Sequence, residues 1–295
     1  MLSNKGDLKM SVIIDNIIYN DDKTMVMGCS DYVYNVKLLD TVREIAPKAF
    51  SGHAELESIE LPKSLRQINS EAFANCYSLK NIHIPDSVNF LGDGAFKNCT
   101  ALEDVYISNR IDILLPETFL NCCHLKNVEI SDYLLEIGDY CFNSCTKLEN
   151  INLPEGMTYI GLSAFSKCIN LKNISIPSTI EDIEPFAFNK TAIEKITIPK
   201  TAILVGDSAF RDCENLKKIY WNKDKPLNEK KLKSIFMDSN LDNVEIYING
   251  KQVTRESLKS IDSVIENAAQ SVSQKKVMKL GDIMDMNEKN SENYL

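Results

Sequence analysis

The sequence repeats one motif, and the fixed period of this repeat constrains the fold more than any other feature. A phenylalanine marks the motif, and the spacing between successive copies is 23 six times and 22 once. These residues are Phe50, Phe73, Phe96, Phe119, Phe142, Phe165, Phe188 and Phe210. A fixed period of about 20–50 residues is typical of solenoids, in which each copy covers the apolar face of its neighbour.

Each repeat also contains a short strand pattern. The segment LxxIxIP alternates apolar and polar positions, which predicts a β-strand. Proline cannot donate to a ladder and so ends the strand in five copies, at Pro62, Pro85, Pro154, Pro177 and Pro199. The one spacing of 22 arises where a residue is lost between Thr191 and Ile193. Parallel stacking would place neighbouring strands about 4.8 Å apart, so every repeat position would become a column of similar residues.

A column of alternating charge tests this stacking from the sequence alone. At one repeat position the side-chain charge changes sign at every step through eight repeats. These residues are Glu57, Lys80, Glu103, Lys126, Glu149, Lys172, Glu194 and Lys217. Opposite charges on neighbouring strands attract by about 0.2–1 kcal/mol per pair, and like charges repel. An in-register parallel stack therefore predicts the alternation, and we interpret the column as structural rather than as a ligand site.

The composition argues against several functions. The 295 residues are 44% hydrophobic and carry a formal net charge of −9, which argues against nucleic-acid binding. No apolar run is long enough to span a bilayer, and no secretory signal is visible, so we expect a cytoplasmic protein. The sequence contains no phosphate-binding glycine loop or zinc-protease motif. Its three histidines suggest no catalytic arrangement, so we expect no enzyme activity, no cofactor and no metal.

The repeat explains most of the nine cysteines. A cysteine follows the repeat phenylalanine three positions later at Cys76, Cys99, Cys122, Cys145, Cys168 and Cys213. Residues one repeat apart along a single line do not form a compact metal set, and their parallel side chains would not meet in disulfides. We therefore expect buried free thiols. Cys123 and His124 adjoin Cys122, but alternating side-chain directions should keep these three apart.

These residues resemble the leucine-rich repeat family, in its BspA-like or treponemal subclass, whose repeats have the same period. The pattern LxxIxIPxxVxxIGxxAFxxC is matched by LENINLPEGMTYIGLSAFSKC, from Leu148 to Cys168. The likeness extends from Val36 to Trp221, and IIYNDDKTMVM, from Ile17 to Met27, is similar to the hairpin that opens such arrays.

The resemblance implies a repeat solenoid, a right-handed leucine-rich repeat superhelix with a parallel sheet on its concave face. It also implies protein–protein or adhesive binding rather than catalysis. Many members are microbial surface proteins, so a cell-surface or secreted location is the alternative to the cytoplasm. Some residues depart from the pattern. Ser108 and Ser131 replace the strand-ending proline, while Leu115 and Glu184 replace glycine, so we expect irregular turns where a left-handed glycine is missing.

The array is expected to have a cap at its N-terminus. Residues 1–36 form this hairpin cap, with strands around Val12–Tyr19 and Thr24–Met27 turned at Asn20–Lys23. Residues 37–221 hold about eight BspA-like repeats.

Residues 222–295 are expected to form a small α+β cap that hides the open edge of the core. Its elements are a short helix near Leu227–Met237, a hairpin over Val244–Val253 turned at Asn249 and Gly250, a helix starting at Thr254, and a disordered tail. A separate partner-binding tail is the alternative interpretation of this segment.

Two polar columns should face outward from the concave sheet, on either side of the inward isoleucine of each strand. The first contains Ser58, Asn81, Asp104, Asn127, Asn150, Asn173, Lys195 and Lys218, and the second contains Glu60, His83, Tyr106, Glu129, Asn152, Ser175, Thr197 and Tyr220. All except Ser58 and Thr197 are our candidate partner-binding residues. Acidic residues of these columns are concentrated in the early repeats and basic residues in the late ones. This arrangement would steer a partner whose charges run in the opposite order. A face needed only for solubility could carry the same residues.

The sequence thus predicts a non-enzymatic scaffold that binds an unidentified protein or peptide on its concave face. We expect a monomer, with no membrane span and no nucleic-acid partner. The alternative is an adhesin-like or self-associating structural surface protein.

Overall fold

Short β-strands stack in two rows along a solenoid. In this computed structural model, residues 11–30, 32–224 and 227–263 are described. The chain opens with β1 (Ser11–Ile14), β2 (Ile17–Asn20) and β3 (Met25–Cys29). The concave row contains β4 (Asn35–Lys37), β6 (Ser58–Glu60), β8 (Asn81–His83), β10 (Asp104–Tyr106), β12 (Asn127–Glu129), β16 (Lys195–Ile198), β18 (Lys218–Trp221) and β19 (Glu245–Ile248).

A second row of two-residue strands follows the concave row around each turn of the solenoid. It continues from β3 with β5 (Glu44–Ile45), β7 (Gln67–Ile68), β9 (Phe90–Leu91), β11 (Ile113–Leu114), β13 (Glu136–Ile137), β14 (Tyr159–Ile160), β15 (Asp182–Ile183) and β17 (Leu204–Val205). Helix α1 (Glu229–Ile235) and the antiparallel strand β20 (Lys251–Val253) complete the named elements.

The strands of the concave row are parallel and shifted by one repeat. Val105 of β10 faces Ile82 of β8 on one side and Val128 of β12 on the other. The row is divided into β4–β6, β8–β10–β12 and β16–β18–β19–β20. A single parallel bridge between Asn150 and Asn173 keeps the register between the second and third parts.

The repeat phenylalanines form one buried column. Neighbouring rings from Phe50 to Phe210 stack with centroids 5.1–5.5 Å apart. The ring spacing is close to the roughly 4.8 Å between hydrogen-bonded strands. The phenylalanines of neighbouring repeats therefore lie in one continuous interior row, as the repeat predicts.

Each rung, meaning one repeat of the solenoid, contains two residues in the left-handed backbone conformation. They stand two positions before and two positions after the repeat phenylalanine. Around Phe119 these are Glu117, with φ 59°, and Asn121, with φ 61°. The glycines expected to turn left-handed, such as Gly92, do not have a positive φ, so that expectation was wrong. A Cβ on Gly92 would lie 2.2 Å from the backbone nitrogen of Ser70. Glycine is therefore required by the close approach of neighbouring rungs.

The N-terminal cap contains one more turn than expected. The segment predicted as one strand over Val12–Tyr19 is divided into β1 and β2 by a tight turn at Asp15 and Asn16, both with positive φ. The second expected turn is present, since the Lys23 amide donates to the Asn20 carbonyl at 3.0 Å. Strand β3 then pairs in parallel with β5, which joins the cap to the array.

Stacking continues beyond Trp221, where the sequence analysis ended the array. Phe236 follows α1 and stacks on Phe210 at 5.2 Å, and β19 pairs in parallel with β18. The predicted hairpin at Asn249 and Gly250 joins β19 to antiparallel β20. Residues 255–263 are helical, as predicted. The remainder of that expected helix and the expected disordered tail lie outside the described residues.

Candidate functional site

The two polar columns lie on the solvent side of the concave row. Of the fourteen candidate residues, Tyr106, Lys218 and Tyr220 are half-buried. The others are exposed: Glu60, Asn81, His83, Asp104, Asn127, Glu129, Asn150, Asn152, Asn173, Ser175 and Lys195. The inward residues between them, such as Ile82 and Val105, are buried in the core. The alternation predicted from the sequence therefore places these side chains correctly.

Side chains of the first column are held by hydrogen bonds between rungs. Asn127 Nδ2 donates to Asp104 Oδ1 at 2.6 Å, and Asn173 Nδ2 donates to Asn150 Oδ1 at 3.2 Å. In the orientation that satisfies its amide, Asn81 Nδ2 donates to Asp104 Oδ2 at 3.2 Å. These bonds restrict the side chains before any partner arrives, which lowers the entropy lost on binding.

The second column contains two stacked aromatic pairs. His83 stacks on Tyr106 with centroids 4.6 Å apart, and Tyr220 stacks on Tyr247 at 4.8 Å. The Tyr106 hydroxyl donates to Asp86 Oδ1 at 2.9 Å. This hydrogen bond is the main cause that raises the pKa of Tyr106. The aromatic surface of the face is thus fixed in position.

The expected separation of charge is weaker in the structure than in the sequence. Glu60 pairs with Lys37 at 2.9 Å. At the late end, Lys218 pairs with Glu245 at 3.1 Å, a residue beyond the segment from which the candidates were drawn. The late rungs therefore carry less free positive charge than the outward columns alone indicated.

Six of the eight residues in the column of alternating charge form ion pairs between neighbouring rungs. Lys80 pairs with Glu57 at 3.5 Å, Lys126 pairs with Glu103 at 2.7 Å, and Lys217 pairs with Glu194 at 2.6 Å. All these side chains are largely exposed, so each pair contributes about 0–1 kcal/mol. The alternation therefore favours the correct register more than it stabilises the fold.

A groove crosses the central rungs of the concave face. Its volume is about 810 Å³, and its lining runs from Asn81 to Asn152. The lining includes the stacked His83–Tyr106 pair. It also includes the hydrogen-bonded side chains of Asn81, Asp104 and Asn127. Rigid aromatic and amide groups of this kind are common in protein-recognition surfaces.

The cysteine column is buried and free, as predicted. Each thiol donates to the carbonyl of the phenylalanine in the preceding rung, for example Cys122 Sγ to Phe96 O at 3.2 Å and Cys145 Sγ to Phe119 O at 3.3 Å. Burial raises the pKa of Cys76 and Cys168 to about 12. These thiols therefore fill the core and satisfy a backbone carbonyl.

The three adjoining residues near Cys122 are arranged differently from our expectation. Cys122 is buried, but Cys123 Sγ lies 3.5 Å from His124 Nδ1, so these two side chains do approach each other. Both turn toward the Thr100 carbonyl, 2.7 Å from Nδ1 and 3.6 Å from Sγ. Within the described ranges, no group of three or more His, Cys, Asp or Glu residues is arranged to hold a metal ion.

We predict that the buried thiols resist labelling in the folded protein. At pH 8, at most Cys29 and Cys123, the two half-buried cysteines, should react with a thiol reagent before all nine cysteines react in denaturant. Mass spectrometry counts the labels, and rapid native labelling of a third cysteine would contradict the buried column.

The raised pKa values of the buried thiols also predict how stability depends on pH. Unfolded thiols ionise above about pH 8.5 while the buried thiols stay protonated. The free energy of unfolding should therefore fall as the pH rises through 9 to 12.

Helices in the described part of the chain are too short and too polar to cross a membrane.

Comparison with known proteins identifies the class. The family described as BspA type leucine rich repeat region matches residues 27–149 and 135–264, in six copies. The chain therefore belongs to this family, and proteins with leucine-rich repeat solenoids are commonly binding scaffolds. No curated protein sequence matches the chain significantly.

Two solved structures share the fold. One is a leucine rich cell surface protein from Faecalibacterium prausnitzii, which is 22% identical over 72% of this chain and 76% of its own, with a TM-score of 0.52. The other is a leucine-rich repeat protein from Eubacterium ventriosum, which is 20% identical over 69% of this chain and 50% of its own, with a TM-score of 0.52. At these identities the likeness establishes the solenoid fold alone.

Proposed function

We propose that this protein is a non-enzymatic scaffold that binds a protein or peptide partner on its concave face. The observation that carries the proposal is the ordered polar and aromatic surface of the central groove. His83 and Tyr106 are stacked at 4.6 Å, and Asn127 is fixed on Asp104 at 2.6 Å. A preordered surface loses little conformational entropy when a partner binds.

The polar character of the groove supports recognition of a polypeptide. Asparagine side chains offer both donors and acceptors, and the first column repeats them at Asn81, Asn127, Asn150 and Asn173. Aromatic side chains add contact area at low entropic cost. A row of such groups can bond the main chain and the polar side chains of an extended segment.

A triple substitution tests this proposal. Tyr106, Glu129 and Asn152, changed together to alanine, should abolish the recovery of partners in a pull-down from the source cells, because the change removes three outward groups of the groove. All three are exposed or half-buried, so the fold should remain.

The matched control changes Tyr133, Glu181 and Asn89 to alanine. These residues are of the same types and are exposed, but they lie outside the two concave columns. Proteins identified by mass spectrometry should be retained by the intact protein and by this control, and lost from the groove variant. Equal recovery by both variants would exclude the concave face as the binding surface.

A further inference from the structure

The concave face carries two aromatic pairs, and among the described residues a cation lies over one of them and not over the other. In the late pair, Tyr220 stacks on Tyr247 at 4.8 Å, and Lys195 Nζ lies 5.1 Å from the centroid of the Tyr220 ring. In the early pair, Tyr106 stacks on His83. Among the described residues, no lysine or arginine lies over either of these two rings. The early pair thus presents a comparable aromatic surface without the internal cation.

The ring of Tyr106 is held with one side toward an acidic neighbour. His83 of β8 covers it from the preceding rung, and its hydroxyl donates to Asp86. In the sheet register, Glu129 of β12 is its partner on the opposite side. The ring and this carboxylate therefore border the same part of the groove.

Two carboxylates that line the groove, Glu129 and Glu149, have no cationic partner among the described residues. In the part of the chain that the structure describes, the Glu129 side chain makes no hydrogen bond or ion pair, and neither does the side chain of Glu149. Lys126, which also lines the groove, is bonded to Glu103 at 2.7 Å. Asp104 adds a third carboxylate to the lining, against Lys147 as the remaining lysine. The groove consequently holds negative charge that a partner can neutralise.

We propose that the central groove binds an arginine side chain of an extended partner peptide, with its guanidinium over Tyr106 and bonded to Glu129. A guanidinium is planar and always charged, stacks on aromatic faces and pairs with a carboxylate through two parallel hydrogen bonds. An ammonium can form the ion pair but gains less from the ring. This inference rests on the proposed function and specifies the chemistry of the partner.

A short peptide supplies the direct test. The probe is acetyl-Gly-Arg-Ser-Arg-Gly-amide, titrated into isotopically labelled full-length protein and followed by the amide NMR signals of β10 and β12. Replacing both arginines with citrulline, which keeps the shape and removes the charge, should weaken binding about tenfold. Replacing both with lysine, which keeps the charge, should weaken it about threefold.

Substitutions locate the site on the protein. Glu129→Gln should weaken the arginine peptide about fivefold, whereas Glu214→Gln, the same charge change at an exposed residue outside the concave columns, should leave binding within about twofold. In Tyr106→Leu the arginine and lysine peptides should bind equally, because the ring that distinguishes them is gone.

The outcomes separate this inference from the proposed function. Equal binding of the arginine and citrulline peptides, or equal effects of the two glutamate substitutions, would overturn the arginine site. The concave scaffold would still stand if the groove variant lost its partners in the pull-down. If the pull-down recovered partners equally with both triple variants, the proposed function would fail even if the arginine peptide bound.

Discussion

Replacing Phe119 with alanine is expected to lower the free energy of unfolding by about 3–5 kcal/mol. Phe119 is fully buried, and its ring stacks on Phe96 at 5.5 Å and on Phe142 at 5.4 Å. The substitution opens a cavity in the middle of the column. The rungs cannot close it without disturbing the strand registers on both sides. Urea denaturation followed by far-UV circular dichroism measures the loss.

Phe90→Ala is the matched control, because the same side-chain change occurs at a residue that is 39% exposed. Its expected cost is about 1 kcal/mol. Trp221, the one tryptophan in the sequence, is buried near the C-terminal end of the array. Tryptophan fluorescence gives a second measurement of the same unfolding, and coincidence of its transition with that of circular dichroism supports the use of a single free energy. Equal losses in the two variants would contradict the stacked core.

The stacking could be predicted because it depends on patterns that recur at one period. The position of Val105 in its repeat is enough to predict that it faces Ile82 and Val128, and the structure confirms this register. The alternating charges gave an independent sign of the same register, since like charges on neighbouring strands repel.

The second row of strands could not be predicted from periodicity. Each of its strands has only two residues, such as Phe90–Leu91, and alternation over two positions has no statistical weight. The last rung was missed for a related reason. The step from Phe210 to Phe236 is longer than the repeat, and α1 precedes Phe236, so both the spacing and the local structure depart from the motif.

Two serines show how a departure from the motif is accommodated. Ser108 and Ser131, which replace the strand-ending proline, are fully buried. Ser108 Oγ donates to the Val88 carbonyl at 2.6 Å and accepts from the Arg110 amide at 3.1 Å. The hydroxyl thus stabilises the turn that proline would otherwise restrict. The sequence identified the departure, but the partner of the hydroxyl depends on the neighbouring rung.

The candidate face could be located from the sequence, but its pairing could not. Alternation determines that Tyr106 and Lys218 point outward, whereas their partners lie beyond the strands that carried the pattern. Asp86 follows the end of β8 and bonds the Tyr106 hydroxyl, and Glu245 belongs to β19 and pairs with Lys218. The strand sequence VEIYI around Glu245 has the same alternation as earlier rungs, which was an available signal for this late partner.

Replacing Gly92 with alanine is expected to destabilise the protein by about 3 kcal/mol. A Cβ at this position would lie 2.2 Å from Ser70 N and 2.6 Å from Asn69 C. These are backbone atoms of the preceding rung, so no side-chain rotation can relieve the contact. In the same turn, the Gly92 amide donates to the Ile68 carbonyl at 2.8 Å. Separating the two rungs would therefore stretch that bond as well.

Gly28→Ala distinguishes this close approach from a general cost of removing glycine. Its Cβ would meet the Ala49 carbonyl at 3.7 Å, an ordinary contact, and its φ is not positive. Alanine restricts the unfolded chain more than glycine does, so this variant should keep or gain stability by about 0.5 kcal/mol. Urea denaturation of both variants measures the difference. Comparable stability would mean that the rungs can separate at little cost, and the rigidity attributed to the concave face would lose its structural basis.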